Sequence, residues 1–227
     1  MVTCRLKYTK SGGLYMEFQL DALNRRIPRF FPTIANAIRE AYANAHAQMP
    51  AEMHQDRLCM KRLYGFILPN VDYQLRRAIE NAAFPDVKVI AANNSNGSAG
   101  HLEIHTPYGI FVVVKVRKLK GVPPKAKYRQ KYVDQMFIQE VFPELDGYTP
   151  ECKPLYVITH ISALPGFELK GISLGRLTVE QNAWSCYYNI DDLCKQEALV
   201  ETVEKTAPPE VREEIIAKNH RIQIKQA

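Results

Sequence analysis

The sequence predicts a mixed α/β protein of the α+β class, with a central mixed β-sheet that carries a basic hairpin and is flanked by helices. Three observations predict this class. Helical patterns lie before and after a group of strand patterns, two of the strands are joined by a short turn, and one strand follows a helix. The expected core therefore has the order helix, three strands, helix, strand (αβββαβ).

The composition is that of an ordinary globular protein. The chain has 227 residues, of which 46% are hydrophobic and 24% are charged. No apolar run approaches the roughly 18 residues that span a bilayer, and residues 1–10 contain no apolar signal region, so we expect a cytoplasmic protein without a membrane partner. We predict a single domain over residues 1–227, with an N-terminal hairpin or arm (1–27), a core (33–190) and C-terminal helices (191–227).

The cysteines form no metal-binding or redox motif. Their number is odd and no pair has the C-x-x-C spacing, which argues against a zinc ribbon and a secreted disulfide scaffold. The five residues are Cys4, Cys59, Cys152, Cys186 and Cys194. We therefore expect buried free thiols and neither a metal site nor another cofactor.

The N-terminal part of the chain predicts a hairpin and a helix. Residues 2–8 and 14–20 alternate in polarity around Ser11-Gly12-Gly13, which predicts a hairpin, or alternatively a mobile arm. Pro32 then opens a helix whose apolar residues recur at spacings of three and four.

Two further helices are predicted before the sheet. Residues 52–66 predict the first, which ends at Gly65 and the Leu68-Pro69 break. Residues 71–84 predict the second, with Asn70 as its N-cap. Because an interior proline removes a hydrogen bond, we expect two separate helices.

The first strands of the predicted sheet are residues 87–92 and a hairpin around residues 107–109. We take the hairpin loop as three residues, which pairs odd-numbered positions with odd-numbered ones. The apolar face predicted by this register carries Leu102, Ile104, Val112 and Val114. On the opposite face, His101 and Glu103 are then expected beside Lys115.

Positive charge is concentrated in the segment that follows the hairpin. The whole chain has a formal net charge of +6, yet residues 115–131 contain eight basic residues and no acidic one. These are Lys115, Arg117, Lys118, Lys120, Lys125, Lys127, Arg129 and Lys131. Four of them lie in the first turns of a helix that we predict after Pro123-Pro124, where cations oppose the helix dipole at a cost of up to about 1 kcal/mol each. An anion bound at the helix start would remove this conflict, and the alternative is a solvated helix end.

The C-terminal part predicts three strands and two helices. Residues 155–161 follow a helix and are expected to lie parallel to an earlier strand. Residues 169–174 and 183–190 predict further strands, and the second carries aromatic residues that could pack in the core or stack on bases. Residues 191–205 and 208–218 predict helices.

The order of elements over residues 71–161 resembles the core of the restriction-endonuclease-like, or PD-(D/E)xK, superfamily. This resemblance implies a metal-dependent phosphodiesterase, in which an acid from the second strand and an acid from the third bind Mg²⁺ and a lysine helps to activate water. Glu103 corresponds to the first acid and Lys115 to the lysine, and Glu80 on the preceding helix could approach them. Val113 stands where the second acid is expected, so we predict a degenerate form of the fold that binds without cleaving.

Two classes of function follow. The first is a nucleic-acid-associated protein that contacts phosphates through the eight basic residues, with Tyr128 and Tyr132 available for stacking. The second is a protein-binding module, such as an antitoxin or a phage or bacterial defence or counter-defence component, whose basic face meets an acidic partner. An active Mg²⁺-dependent nuclease that uses Glu80, Glu103 and Lys115 is a further alternative.

Overall fold

The computed structural model describes residues 23, 25–50, 52–53, 56–93, 100–118, 120–141, 153–163, 168–195 and 198. The predicted N-terminal hairpin and the predicted helix at 208–218 lie outside this part of the chain. Of the predicted helix at 191–205, residues 191–195 and 198 are described, and all of them are helical.

The described elements confirm an α+β fold with a mixed sheet. In chain order they are α1 (Phe30–Ala47), α2 (Arg57–Ala82), β1 (Lys88–Asn93), β2 (Gly100–Thr106), β3 (Gly109–Val116), α3 (Lys127–Val141), β4 (Leu155–Ala163), β5 (Glu168–Leu177) and β6 (Trp184–Asn189). None of the helices in the described ranges is long and apolar enough to cross a membrane.

The six strands form one sheet in which spatial order follows chain order, from β1 to β6. Neighbouring strands are antiparallel except β3 and β4, which are parallel. The chain passes through α3 between these two strands, as expected because parallel neighbours need a crossover connection. The prediction that the strand after the helix lies parallel to an earlier strand is confirmed.

The predicted register of the β2–β3 hairpin is wrong by one residue. Thr106 pairs with Gly109 and Glu103 pairs with Val112, so the loop has two residues instead of three. The Thr106 hydroxyl closes this tight turn, since Oγ1 donates to the Gly109 carbonyl oxygen (3.0 Å) and accepts from the Tyr108 N–H (3.1 Å). A one-residue shift moves side chains to the other face, so Glu103 and Lys115 lie on opposite faces of the sheet.

The two helices predicted on either side of Pro69 are a single helix, α2, of 26 residues. Asp56 is its N-cap and accepts hydrogen bonds from the N–H groups of Leu58 and Cys59. The predicted capping role of Asn70 is also wrong, because its side-chain Nδ2 donates to the Ala41 carbonyl oxygen of α1 at 2.8 Å.

An unbroken row of buried side chains explains why α2 continues through Pro69. The row recurs every four residues on both sides of the proline and consists of Leu63, Ile67, Val71, Leu75 and Ile79. Burying one aliphatic side chain of this size contributes about 1.5–3 kcal/mol. The row as a whole therefore contributes more than the roughly 3 kcal/mol that an interior proline costs.

The sheet has a core on each face. One face packs against α1 and α2 around aromatic residues, including Phe30, Phe111 and Tyr156, with ring centroids 5.1 Å apart for Phe30 and Phe111. On the other face, Val133 of α3 packs in a second cluster with Val112 and Val157. The sheet is therefore the middle layer between α1 and α2 on one side and α3 on the other.

Candidate functional site

Six of the eight basic residues predicted to bind phosphate are exposed, and two are not. The exposed residues are Arg117, Lys118, Lys120, Lys125, Lys127 and Lys131. They lie on the connection between β3 and α3 and on the first turns of α3. We call residues 117–131 the basic segment. Arg129 is buried and Lys115 is half-buried, so the structure divides the predicted set.

Hydrogen bonds to the β5–β6 region hold the backbone of the basic segment in place. Trp184 Nε1 donates to the Lys120 carbonyl oxygen at 3.2 Å, and Gln181 Nε2 donates to the Ala126 carbonyl oxygen at 3.2 Å. Between these points, the buried guanidinium of Arg129 donates to the Pro124 carbonyl oxygen. The segment is therefore fixed to the β5–β6 region at two carbonyl groups and is braced internally at a third.

Gln181 also occupies part of the start of α3, where the sequence predicts either a bound anion or a solvated helix end. Its Oε1 accepts from the Ala126 N–H at 3.3 Å and from Arg129 Nε at 3.4 Å. Gln181 is buried, and its Nε2 donates to Gln130 Oε1 at 2.7 Å. A protein carbonyl oxygen thus satisfies one of the helix-start donors and offsets part of the positive charge there. Binding of an anion by the lysines around it stays a prediction.

An aromatic pair lies beside the basic segment. The half-buried rings of Trp184 and Tyr187 have centroids 5.6 Å apart, and Lys120 Nζ is 5.8 Å from the Tyr187 ring centroid. Gly175 leaves room for the indole, because a Cβ at this position would be 2.7 Å from a Trp184 ring carbon. Aromatic rings next to a lysine are suited to single-stranded nucleic acid, because the rings can stack on unpaired bases while the lysine contacts a neighbouring phosphate.

The two tyrosines predicted to be available for stacking are instead engaged with β2. The Tyr128 ring stacks on His101, with centroids 3.7 Å apart, and the Tyr132 hydroxyl donates to the Glu103 carboxylate at 3.0 Å. Both side chains are half-buried. They join α3 to the sheet and are poor candidates for contact with a ligand.

Glu103 is the centre of a polar cluster on the α3 side of the sheet. His101 Nε2 lies 2.9 Å from its Oε1, and His105 Nε2 lies 2.7 Å from its Oε2. Burial raises the pKa of Glu103, but the hydrogen bonds from His105, His101 and Tyr132 outweigh it and leave the pKa below its ordinary value. Burial, and then the nearby carboxylate charge of Glu103, raises the pKa of Tyr132 to about 12, so this hydroxyl keeps its proton at neutral pH.

The sequence pattern of β2 indicates this cluster, although the predicted contact of Glu103 was with Lys115. His101, Glu103 and His105 alternate along one strand, and alternate residues of a strand point to the same face. His101 precedes Glu103 on the strand and His105 follows it, and each contacts a different oxygen of the carboxylate, so the two histidines flank it. Among the described residues, no group of three or more histidine, cysteine or acidic side chains is arranged to hold a metal ion.

Lys115 lies on the other face, in a different environment. Its Nζ is 5.8 Å from the ring centroid of Tyr42, whose hydroxyl is 2.7 Å from His160 Nδ1. Burial lowers the pKa of Lys115 to about 8. Burial, and then the charge of Lys115, lowers the pKa of the fully buried His160 to about 3, so this imidazole is neutral.

The three residues predicted as catalytic are not assembled into the predicted nuclease site. Glu103 and Lys115 are separated by the sheet, and Glu80 is exposed on α2. Mg²⁺ is held by several oxygen ligands in octahedral geometry, which a single carboxylate surrounded by hydrogen-bond donors does not offer. These residues therefore do not fit Mg²⁺, and we derive no cleavage step from them.

The fold and the fixed basic segment define a class of protein only: an α+β protein with a positively charged, preorganised surface segment. Comparison of the chain with protein-family models, with curated proteins and with solved structures found no match.

Proposed function

We propose that this protein binds nucleic acid through the basic segment and does not cleave it. The observation that carries the proposal is the combination of six exposed lysine and arginine side chains with a backbone fixed to the β5–β6 region. Each phosphate contact releases counterions from the nucleic acid, which supplies sequence-independent affinity.

The fixed backbone supports this function energetically. A loop that must become ordered on binding loses roughly 1–2 kcal/mol per residue in backbone entropy. Because Trp184, Arg129 and Gln181 already hold the segment, much of this cost is absorbed during folding instead of during binding.

Two observations support binding without catalysis. The resemblance to PD-(D/E)xK enzymes would require Glu103 and Lys115 at one site, and they lie on opposite faces of the sheet. A nuclease-like core that retains only its affinity for phosphates agrees with this arrangement and with Val113 at the position of the second acid.

The test is a titration of labelled single-stranded and double-stranded DNA and RNA at several salt concentrations, with and without Mg²⁺, read by fluorescence anisotropy and product length. A triple variant, K125Q/K127Q/K131Q, should bind all sequences more weakly and lower the salt slope by up to about one for each phosphate that is no longer neutralised. The matched control, K88Q/K170Q/K195Q, removes three exposed lysines elsewhere and should retain the wild-type slope.

Three results would contradict the proposal. Absence of binding at low salt would exclude nucleic acid and would leave an acidic protein, of the antitoxin or defence type, as the partner to seek by co-purification. Equal weakening by both triple variants would show that net charge alone acts. Products that appear with Mg²⁺ and disappear in Glu103→Gln would restore the nuclease.

A further inference from the structure

The outer face of α2 carries large apolar side chains that the core does not use. Leu58, Phe66 and Tyr73 are 69%, 66% and 59% exposed, whereas the row from Leu63 to Ile79 on the same helix is buried. The exposed positions are separated by eight and seven residues, so they lie on one side of the helix, opposite the core.

Phe66 and Tyr73 belong to a regular seam. Six exposed residues recur at spacings of four, three, four, three and four, which is the pattern by which one helix packs against another. We call them the outer seam: Arg62, Phe66, Pro69, Tyr73, Arg76 and Glu80. Contiguous exposed apolar groups with a polar rim are typical of interaction surfaces.

The order of residues in the outer seam is complementary to itself when reversed. The spacings are symmetric about position 71, so an antiparallel copy of the helix places position 62 opposite 80, 66 opposite 76, and 69 opposite 73. Arg62 then meets Glu80, the Phe66 ring meets the Arg76 guanidinium, and Pro69 meets the Tyr73 ring. These are an ion pair, a cation–π contact and an apolar contact, and two-fold symmetry forms each of them twice.

We propose that the outer seam of α2 is a homodimer interface, in which two copies of α2 pack antiparallel about a two-fold axis near position 71. The charges indicate that the partner is a second copy of α2. Arg62 and Glu80 lie at opposite ends of the outer seam, about 27 Å apart along the helix, and only a reversed copy of the seam pairs both of them with opposite charges. An acidic partner would satisfy Arg62 and Arg76 but would be repelled by Glu80. This proposal does not depend on nucleic-acid binding.

The first test is sedimentation velocity of the full-length protein over a wide concentration range, without nucleic acid. We expect a monomer–dimer equilibrium that Phe66→Glu weakens by roughly 30-fold or more, because it replaces a central aromatic ring of the interface with a charge. Leu68→Glu is the matched control: Leu68 is on the same helix and 41% exposed, but outside the outer seam, so this variant should dimerise like the wild type. A wild-type protein that is monomeric at every concentration overturns the proposal, as does equal weakening by both variants.

The second test addresses the antiparallel pairing. Arg62→Glu and Glu80→Arg should each weaken the dimer about tenfold or more, because each places like charges opposite one another twice. The double variant R62E/E80R restores opposite charges and should recover dimerisation, with circular dichroism confirming that all variants are folded. Failure of the double variant to recover would exclude this pairing, and retention of dimer by both single variants would exclude the interface.

Discussion

At the scale of single residues, His160 is a titratable group that the fold keeps neutral. Its ring is fully buried, and Nδ1 lies 2.7 Å from the Tyr42 hydroxyl. The pKa of about 3 lies far below the ordinary value of 6.5, because protonation would place a charge in the interior beside Lys115. The stability of the protein should therefore depend on pH through this side chain.

We predict that the wild type loses stability on acidification in a way that His160→Gln does not. Below pH 6.5 the unfolded chain binds a proton at His160, whereas the folded chain does not until about pH 3. Lower pH therefore favours unfolding, by up to about 1.4 kcal/mol per pH unit for one group. Urea denaturation at several pH values should show the free energy of unfolding of the wild type falling relative to that of the variant.

Comparison of the two proteins removes the contribution of other groups. Burial raises the pKa of Asp72 to about 6, and this carboxyl acts in the opposite direction, because it favours the folded state more as the pH falls from 6 towards 3.8. Tyr42→Phe removes a hydrogen bond without removing a titratable histidine, so it should cost about 1 kcal/mol and keep the wild-type pH dependence. Parallel curves for wild type and His160→Gln would contradict the prediction.

Residue-scale features were the hardest to predict from sequence. Alternation placed His101, Glu103 and His105 on one face of β2, but the partner strand's register depended on whether the hairpin loop had two or three residues. Thr106 decides this, because its hydroxyl bonds within the turn. The predicted meeting of Glu103 and Lys115 failed for this reason alone.

At the scale of elements, α2 shows tertiary packing overriding local preference. Local rules predict a break at Pro69, because a proline in a helix interior costs about 3 kcal/mol. The buried row that crosses the proline could be read from the sequence at a spacing of four, but its burial depends on α1, whose Ala41 carbonyl oxygen also binds Asn70. Sequence alone therefore predicted both halves of α2 but not their continuity.

We predict that Pro69→Ala stabilises the protein by about 1–3 kcal/mol, because it removes the ring from the interior of a continuous helix and restores an N–H group. Gly65→Ala is a matched change one turn earlier. A Cβ at Gly65 meets nothing within 4 Å, so the gain should be about 0.5–1 kcal/mol. Thermal and urea unfolding at concentrations where the protein is monomeric would measure both. Destabilisation by Pro69→Ala would indicate that the helix needs the proline.

At the scale of the whole molecule, Gln181 connects the end of the sheet to the basic segment. We predict that Gln181→Ala costs about 1–3 kcal/mol in the free energy of unfolding, because it removes hydrogen bonds to the buried Arg129 and to Ala126. It should also weaken nucleic-acid binding several-fold while leaving the salt slope unchanged, since all six exposed cations remain. Hydrogen exchange in residues 117–126 should become faster.

Asn182→Ala is the control for this prediction. Asn182 is exposed next to Gln181, and its Oδ1 accepts a hydrogen bond from the Thr178 hydroxyl within the same turn. This variant should leave both affinity and exchange in the basic segment unchanged. A lower salt slope in Gln181→Ala would mean that the segment neutralises fewer phosphates, and not merely that it is less ordered.

The overall topology was more predictable than the details within it. The αβββαβ order, the mixed sheet and a parallel partner for the strand after α3 followed from periodicity and from the helix between the strands, whereas the identity of that partner, β3, comes from the structure. The placement of Trp184 against Lys120 did not, because these residues are 64 positions apart and only the assembled sheet brings them together.

The parallel pairing of β3 with β4 also means that the sheet cannot be completed until long after β3 has been synthesised. Strands β1 to β3 pair with their immediate neighbours in the chain and can assemble as they leave the ribosome, but Leu155 follows Val116 by 39 residues. At about 5–20 residues per second, the apolar edge of β3 waits roughly 2–8 s for its partner. During that interval the nascent chain presents an open strand edge that a chaperone, or another nascent chain, can bind.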